Sequence, residues 1–254
     1  MNSIYKFGGS SLKNAANIKL VTKIISENKE DDMVIVFSAM GKVTNMLEEV
    51  VNSYFKKQKN VRNLLKKVRD FHESIASLLF NENDKVFDEI NNLIVEIEWV
   101  VDEAPTDNYS YYYDQIVAVG ELLSTKIMSA FLHKNKIINH WTDIRDIIRT
   151  DDSYRNAKIN WNDTKRLACK NLKSGIVVTQ GFIGSTSENN TTTIGREGSD
   201  FTAAILAYCL STKKVIIWKD VPGLMNADPA IFDQTQLFKH ISYDEAIELA
   251  FFGA

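Results

Sequence analysis

Apolar positions along the chain fall into two rhythms. Short apolar runs at Ser3–Phe7, Met33–Phe37, Ile137–His140, Ile176–Thr179 and Val215–Trp218 have the length and β-branched content of strands buried within a parallel sheet. Between them the apolar residues recur at three- and four-residue spacing, which predicts helices over Asn14–Asn28, Thr164–Asn171, Ser199–Leu210 and Ser242–Phe252. The last of these opens with Ser242-Tyr243-Asp244-Glu245, a capping-box pattern. One region breaks the alternation. No glycine occurs from Lys42 to Val119, and this stretch carries apolar faces at Val50/Val51/Tyr54/Phe55, Leu64/Leu65/Val68/Phe71 and Leu93/Ile94/Ile97/Val101. Three helices are expected there, parted by the polar Asn81–Asp84 and closed by Glu103-Ala104-Pro105-Thr106, with a further helix from Tyr111 to His133. Strand–helix alternation implies an α/β fold, a parallel sheet with helices on both faces. With no repeat, low-complexity tract or linker, a single domain is expected.

Composition narrows the function classes. Of 254 residues 44% are hydrophobic and 25% charged, and the net charge is −3. That is ordinary for a globular protein and gives no pull toward nucleic acid or an acidic membrane surface. No apolar run reads as the ~20 residues of a membrane span. The chain enters a strand-like segment at once, without a signal-peptide layout. Cys169 and Cys209 each lie in an apolar, helix-like stretch and read as reduced core thiols of a cytoplasmic protein. His72, His133, His140 and His240 are scattered, so no Cys/His metal cluster is expected.

In such a sheet ligands bind beyond the carboxyl ends of the strands, and the residues there are distinctive. After the first strand come Gly8-Gly9-Ser10-Ser11, whose bare backbone can approach phosphate oxygens. Lys6 precedes that turn as a flexible point charge. Gly-Gly alone also fits an ordinary strand–helix turn, and no Walker loop is present. After the second strand, Ser38-Ala39-Met40-Gly41 and Thr44-Asn45 offer hydroxyls, with Thr44 equally readable as a helix cap. The most informative stretch is Gly195-Arg196-Glu197-Gly198-Ser199-Asp200, where a guanidinium stands between glycines at a helix start. Arginine binds carboxylates bidentately, whereas Ser199 and Asp200 also suit capping. Lys219-Asp220-Val221-Pro222-Gly223 forms a turn-rich loop of the kind that holds a nucleotide base or ribose, or merely a surface connection.

Taken in register, these segments resemble the aspartokinase family of the amino-acid kinase superfamily. The matching segments are Lys6–Ser11, Ser38–Gly41 with Thr44-Asn45, Gly120-Glu121, Thr179–Gly184, Gly195–Asp200, Asp220–Gly223, Ala227-Asp228-Pro229 and Ile241–Ala246. Nothing specific matches from Met46 to about Val119. The resemblance implies a three-layer α/β/α sandwich around a mainly parallel sheet. It implies ATP and Mg²⁺ as cofactors and L-aspartate as substrate, giving 4-phospho-L-aspartate, the first step toward lysine, threonine and methionine. By motif, Lys6 would stabilise the transferring phosphoryl group and Asp200 would organise that lysine. Gly8, Gly9, Ser10, Lys219 and Asp220 would hold ATP. Ser38, Thr44, Glu121, Phe182, Arg196 and Ser199 would line the aspartate site. Departures from the family pattern fall at Glu197, Lys219, Met225 and Ala230 and bear on nucleotide contacts. Phe252-Gly253-Ala254 resembles the point where the family continues with a second phosphate-binding lysine and regulatory ACT domains. Residues 1–254 are therefore expected to be a truncated catalytic domain of a protein that is a homodimer at full length.

The chemistry needs no general base, because an acceptor carboxylate with a pKa near ~4 is already ionised at neutral pH. The difficulty is bringing two anions together, which Lys6, Arg196, helix N-termini and Mg²⁺ would ease. Two alternatives stay open: a superfamily kinase acting on another acid such as acetylglutamate, and an ATP-binding regulatory module without turnover.

Overall fold

The computed structural model describes all residues except 173, 220, 229, 230 and 252–254. The chain divides into two compact units, residues 1–218 and 219–254.

The first unit is built on a five-stranded, all-parallel sheet. Its strands are β1 (Ser3–Phe7), β2 (Met33–Phe37), β3 (His140–Trp141), β4 (Ile176–Gln180) and, after a small hairpin, β7 (Lys214–Trp218), in the order β3-β4-β2-β1-β7. Every residue of β1 and β2 is buried, as the uninterrupted apolar run of β2 predicts; in β1 the burial extends to Ser3 and Lys6. Side chains alternate between the faces. Tyr5, Phe7, Ile35 and Phe37 join a core with the N-terminal and central helices, whereas Ile4, Val34, Val36 and Val177 face the opposite core. The first face is covered by α1 (Ala15–Asn28) and α6 (Val119–Lys134), extended by α2 (Val43–Phe55), α3 (Val61–Ser77), α4 (Val86–Asp102) and α5 (Tyr109–Val117). The other face is covered by α7 (Trp161–Asn171) and α8 (Gly198–Leu210). Helices thus flank a parallel sheet on both sides, with an all-helical insertion after β2.

Several expectations are corrected. Two strands at the sheet edges differ from their sequence patterns. Ile137–His140 is not a strand. Lys136 takes a left-handed conformation (φ 62°), and Asn139 turns its side chain onto the Ser129 and Ile137 carbonyls, so local bonding displaces the ladder until His140. The edge strand β7 leaves Val215 and Ile217 exposed. The hairpin of β5 (Ile183–Ser185) and β6 (Thr191–Thr193) adds two strands to those the sequence pattern predicts, because three-residue, threonine-rich strands read as loop. Residues 109–134 are long and apolar enough to cross a membrane by length and composition, contrary to the run-length reading; 83% of their most apolar window is buried in the fold, as in a core helix. Cys169 is exposed, not a core thiol; Cys209 is buried, and both are free.

In the second unit, Met225 and Leu237 form an antiparallel bridge, and α9 (Tyr243–Phe251) follows. Its capping box forms as predicted: Ser242 N–H donates to Glu245 Oε2 at 2.9 Å and Glu245 N–H to Ser242 Oγ at 3.2 Å.

Candidate active site

Because β1, β2 and β4 run parallel and in register, with Phe7 beside Phe37 and Phe37 beside Gln180, the turns that follow them meet at one edge. Ser38 N–H donates to the Phe7 carbonyl, Gly41 N–H to that of Gly9, and Gly181 N–H to that of Phe37. Two of these glycines are dictated by close approach. A Cβ on Gly9 would lie 2.7 Å from the Ala39 carbonyl oxygen, and one on Gly181 would lie 2.5 Å from Ser199 Cβ. The first contact seats the 8–11 turn on the 38–41 turn. The second brings the start of α8 onto the end of β4.

Lys6 shares the β1 face of Ile4, the face packed by α8, so its side chain runs toward the first turn of that helix. There Lys6 Nζ meets Asp200 Oδ1 at 2.6 Å, with both side chains largely shielded from water. The pairing explains how an ammonium is tolerated in a buried strand. Lys6 Nζ also stands where a Gly8 Cβ would be 3.5 Å away, so the charge lies beneath the glycine turn. Past that turn the chain enters a short 3₁₀ segment, Gly9–Leu12, and the amino end of α1 is already capped by Asn14, which accepts from Asn17 N–H. One of the N–H groups at the α1 terminus is thus already taken by a side chain. Ser10 belongs to the 3₁₀ segment, its carbonyl accepting from Asn17 Nδ2, and it does not line the cleft described next.

A cleft of about 590 Å³ opens over this edge. It is lined by Lys6, Gly8 and Gly9 at one place and by Ser38, Thr44, Glu121, Phe182, Arg196, Ser199 and Asp200 around it. Its size is that of a small-molecule site. Thr44 is not a cap: α2 has its N-cap at Lys42, and Thr44 sits in the first helical turn, free to face the cleft. Nor do Ser199 and Asp200 cap α8. The N-cap is Glu197 in a left-handed conformation (φ 55°) that supplies no side-chain acceptor, and it follows Gly195 at φ 85°. This reversal holds Arg196 exposed at the rim, and among the described residues Arg196 makes no ion pair. Phe182 is also left-handed (φ 72°), and its N–H is fixed by Thr202 Oγ1 at 3.0 Å.

Glu121 is the most perturbed group. It stands in the first turn of α6, almost fully buried, and Oε1 accepts from Ala39 N–H at 3.4 Å while Oε2 has no hydrogen-bond partner among the described residues. Burial pushes its carboxyl up to about 8, as expected for a desolvated acid without a cation. A ligand bearing an ammonium group would supply the missing partner.

Further lining residues were not singled out in the sequence: Asn45, Glu48, Tyr113, Arg155 and Glu197. Asn45 and Glu197 lie inside segments that were recognised. Glu48 is one helical turn from Thr44, a spacing that could have marked it. Tyr113 and Arg155 carried no local signal. Lys219 opens the second unit directly after β7, and Asp220 lies outside the described residues.

Comparison with known proteins agrees with this geometry. The amino acid kinase family model matches residues 1–254. The lysine-sensitive aspartokinase 3 of Escherichia coli is 31% identical over 99% of this chain and 56% of its own length. The chloroplastic aspartokinase 2 of Arabidopsis thaliana is 30% identical over 100% of this chain and 48% of its own. Among solved structures, E. coli aspartokinase III in complex with aspartate and ADP superposes with a TM-score of 0.90 at 31% identity, covering 100% of this chain and 57% of that one. The Clostridium acetobutylicum aspartate kinase, at 24% identity and a TM-score of 0.82, shares the fold. The chain spans about half the length of these relatives. It belongs to the amino acid kinase family.

Proposed function

We propose that the cleft transfers the γ-phosphoryl group of ATP to the side-chain carboxylate of L-aspartate. The observation that carries this reading is the cleft's division of labour. One end sets the Lys6–Asp200 pair under a glycine turn, and the other gathers Arg196, Glu121 with its Oε2 unsatisfied, and the hydroxyls of Ser38, Thr44 and Ser199. The first suits a phosphoryl group, the second a zwitterionic amino acid. The similarity to an aspartokinase solved with aspartate and ADP supports both assignments.

In this reading Gly8 and Gly9 admit the ATP phosphates to the backbone, and Lys6 neutralises charge on the transferring group while Asp200 fixes its position. Ser10, Lys219 and Asp220 are proposed nucleotide contacts. Arg196 takes the amino acid's α-carboxylate and Glu121 its ammonium. The acceptor carboxylate is already ionised and attacks without a base. Among the described residues no group of three metal-ligating side chains stands together. Mg²⁺ would be held mainly through phosphate oxygens and water and would supply further charge neutralisation.

Incubation with Mg-ATP and hydroxylamine, which traps acyl phosphates as hydroxamates, tests the reading across L-aspartate, N-acetyl-L-glutamate and L-glutamate. Hydroxamate formed from L-aspartate well above the other acids is expected. Preference for N-acetylglutamate would replace the substrate assignment. ATP binding without hydroxamate from any acid would mark a regulatory module.

A further inference from the structure

The loop between β3 and α7 carries Arg155 into the cleft, where no motif places it. Its backbone is left-handed (φ 58°), a conformation that costs a non-glycine residue energy and that Tyr154 before it shares (φ 40°). The conformation is enforced from outside the loop. Arg155 N–H donates to both oxygens of the buried Asp114 carboxylate, at 2.9 and 3.1 Å. Ala157 N–H donates to the Thr193 carbonyl at 3.0 Å. Gly195, which carries Arg196, lies so close that a Cβ on it would be 2.5 Å from Asn156 Oδ1 and 3.7 Å from the Arg155 carbonyl oxygen. The loop is thus docked on the turn that presents Arg196.

Its side chain is aimed as well. The guanidinium carbon lies 4.5 Å from the Tyr113 ring centroid and 5.6 Å from that of Tyr109. Stacking on an aromatic face orients the planar fork without consuming its N–H donors. Among the described residues no carboxylate forms an ion pair with Arg155, although Glu48 lines the same cleft. Two guanidinium groups therefore line one cleft with unspent donors, beside a buried acid whose outer oxygen lacks a partner.

We propose that Arg155 is a specificity-determining residue: with Arg196 it binds the α-carboxylate of the amino-acid acceptor and makes a free α-carboxylate a requirement of the site. One fork can take the two syn lone pairs of a carboxylate and the second an outward-facing lone pair, and the anion relieves the mutual repulsion of the two cations. This inference rests on the amino-acid kinase reading of the cleft.

The test is Arg155→Gly and Arg155→Lys, assayed with L-aspartate and with its α-amide, L-isoasparagine, by hydroxamate formation and by calorimetric titration of the amino acid. Glycine suits the left-handed backbone, so Arg155→Gly removes the guanidinium without straining the loop. Arg155→Gly is expected to raise KM for L-aspartate about tenfold. KM for ATP should stay within about twofold, and the preference for L-aspartate over the α-amide should shrink by the same factor as the KM change. Arg155→Lys, keeping charge but not the fork, should fall between. An unchanged KM for L-aspartate overturns the proposal, and so does an equal loss for acid and amide, which would mean a merely structural role. A wild-type protein that neither binds nor phosphorylates L-aspartate fails the functional reading before any variant is compared, and the proposal falls with it.

Discussion

At the scale of single residues, charge placement decides the chemistry. Lys6 is the only cation in β1, and it survives there because Asp200 meets it at 2.6 Å. Lys6→Ala should leave KM for L-aspartate nearly unchanged while cutting kcat by about a hundredfold or more, the loss expected when a charge at the transferring group is removed. Near-normal turnover would take Lys6 out of the mechanism. Arg196→Ala should do the reverse, raising KM for L-aspartate by roughly tenfold to a hundredfold with a smaller effect on kcat. Steady-state kinetics in each substrate separates the two roles. Both residues were legible in the sequence because their signals are local: a lysine just before Gly-Gly at a strand end, an arginine between glycines at a helix start. Ser38, Thr44, Phe182 and Ser199 were legible in the same way, each within a few residues of a strand end or helix start. Arg155 was not, because what aims it is Asp114, which precedes it by 41 residues.

Among elements, the β5–β6 hairpin and α5 form a frame that sequence periodicity could not reveal. Thr193 N–H and Oγ1 both donate to the Asp114 carboxylate at 2.7 Å, alongside Arg155 N–H, and Gln115 exchanges bonds with Thr191 N–H and its carbonyl. A three-residue strand has too little pattern of its own, so side-chain acceptors from α5 set its position. Burial raises the Asp114 carboxyl to about 6 despite these donors, so at neutral pH the ionised charge is itself a cost of folding, and the frame is held by the acceptor atoms. Asp114→Asn keeps an oxygen for the two amides, and its NH₂ can donate to Thr193 Oγ1. Stability should then stay within about 1 kcal/mol of wild type at pH 7. Asp114→Ala leaves the buried Thr193 amide and the part-buried Arg155 amide unpaired, at a cost of about 2–4 kcal/mol. Thermal or urea denaturation measures both. A loss for Asn equal to that for Ala would show that the charge, not the acceptor, holds the frame. By contrast α1 and α8 were read to within a residue, and the helices after β2 were recognised by the apolar faces that became core, although the one helix expected from Tyr111 to His133 is two, α5 and α6. The 3₁₀ segment and the Asn14 cap were not legible in this way: a glycine turn before a predicted helix does not reveal that a short 3₁₀ segment and a side-chain cap intervene.

For the first unit taken whole, the buried titratable groups make stability depend on pH, and their signs oppose. His72 is fully buried with Nδ1 against the Val68 carbonyl, and desolvation lowers it to about 4. Its folded value lies below the unfolded one, so its contribution is present above about 6.5 and is lost as pH falls through about 4. Asp114 and Glu121 are raised, to about 6 and about 8. Their contributions are complete below the unfolded carboxylate values, near ~4, and are lost as pH rises through the folded ones. Between pH 6.5 and 8, Asp114 is mostly ionised and only the tail of unfolded His72's titration remains, so Glu121 is the largest of the three contributions. In that window it should remove about 1.4 kcal/mol per pH unit, roughly 2 kcal/mol in all. The same ionisation creates the carboxylate an amino-acid ammonium needs, so KM for L-aspartate should fall over the interval in which the free protein loses stability. Glu121→Gln separates the two effects. It should flatten the decline in melting temperature between pH 6.5 and 8 and raise stability at pH 8, while amino-acid binding weakens and loses its pH dependence. Melting curves and aspartate titrations at matched pH measure both, and a Gln variant whose stability still declines in parallel with wild type would remove Glu121 as the cause.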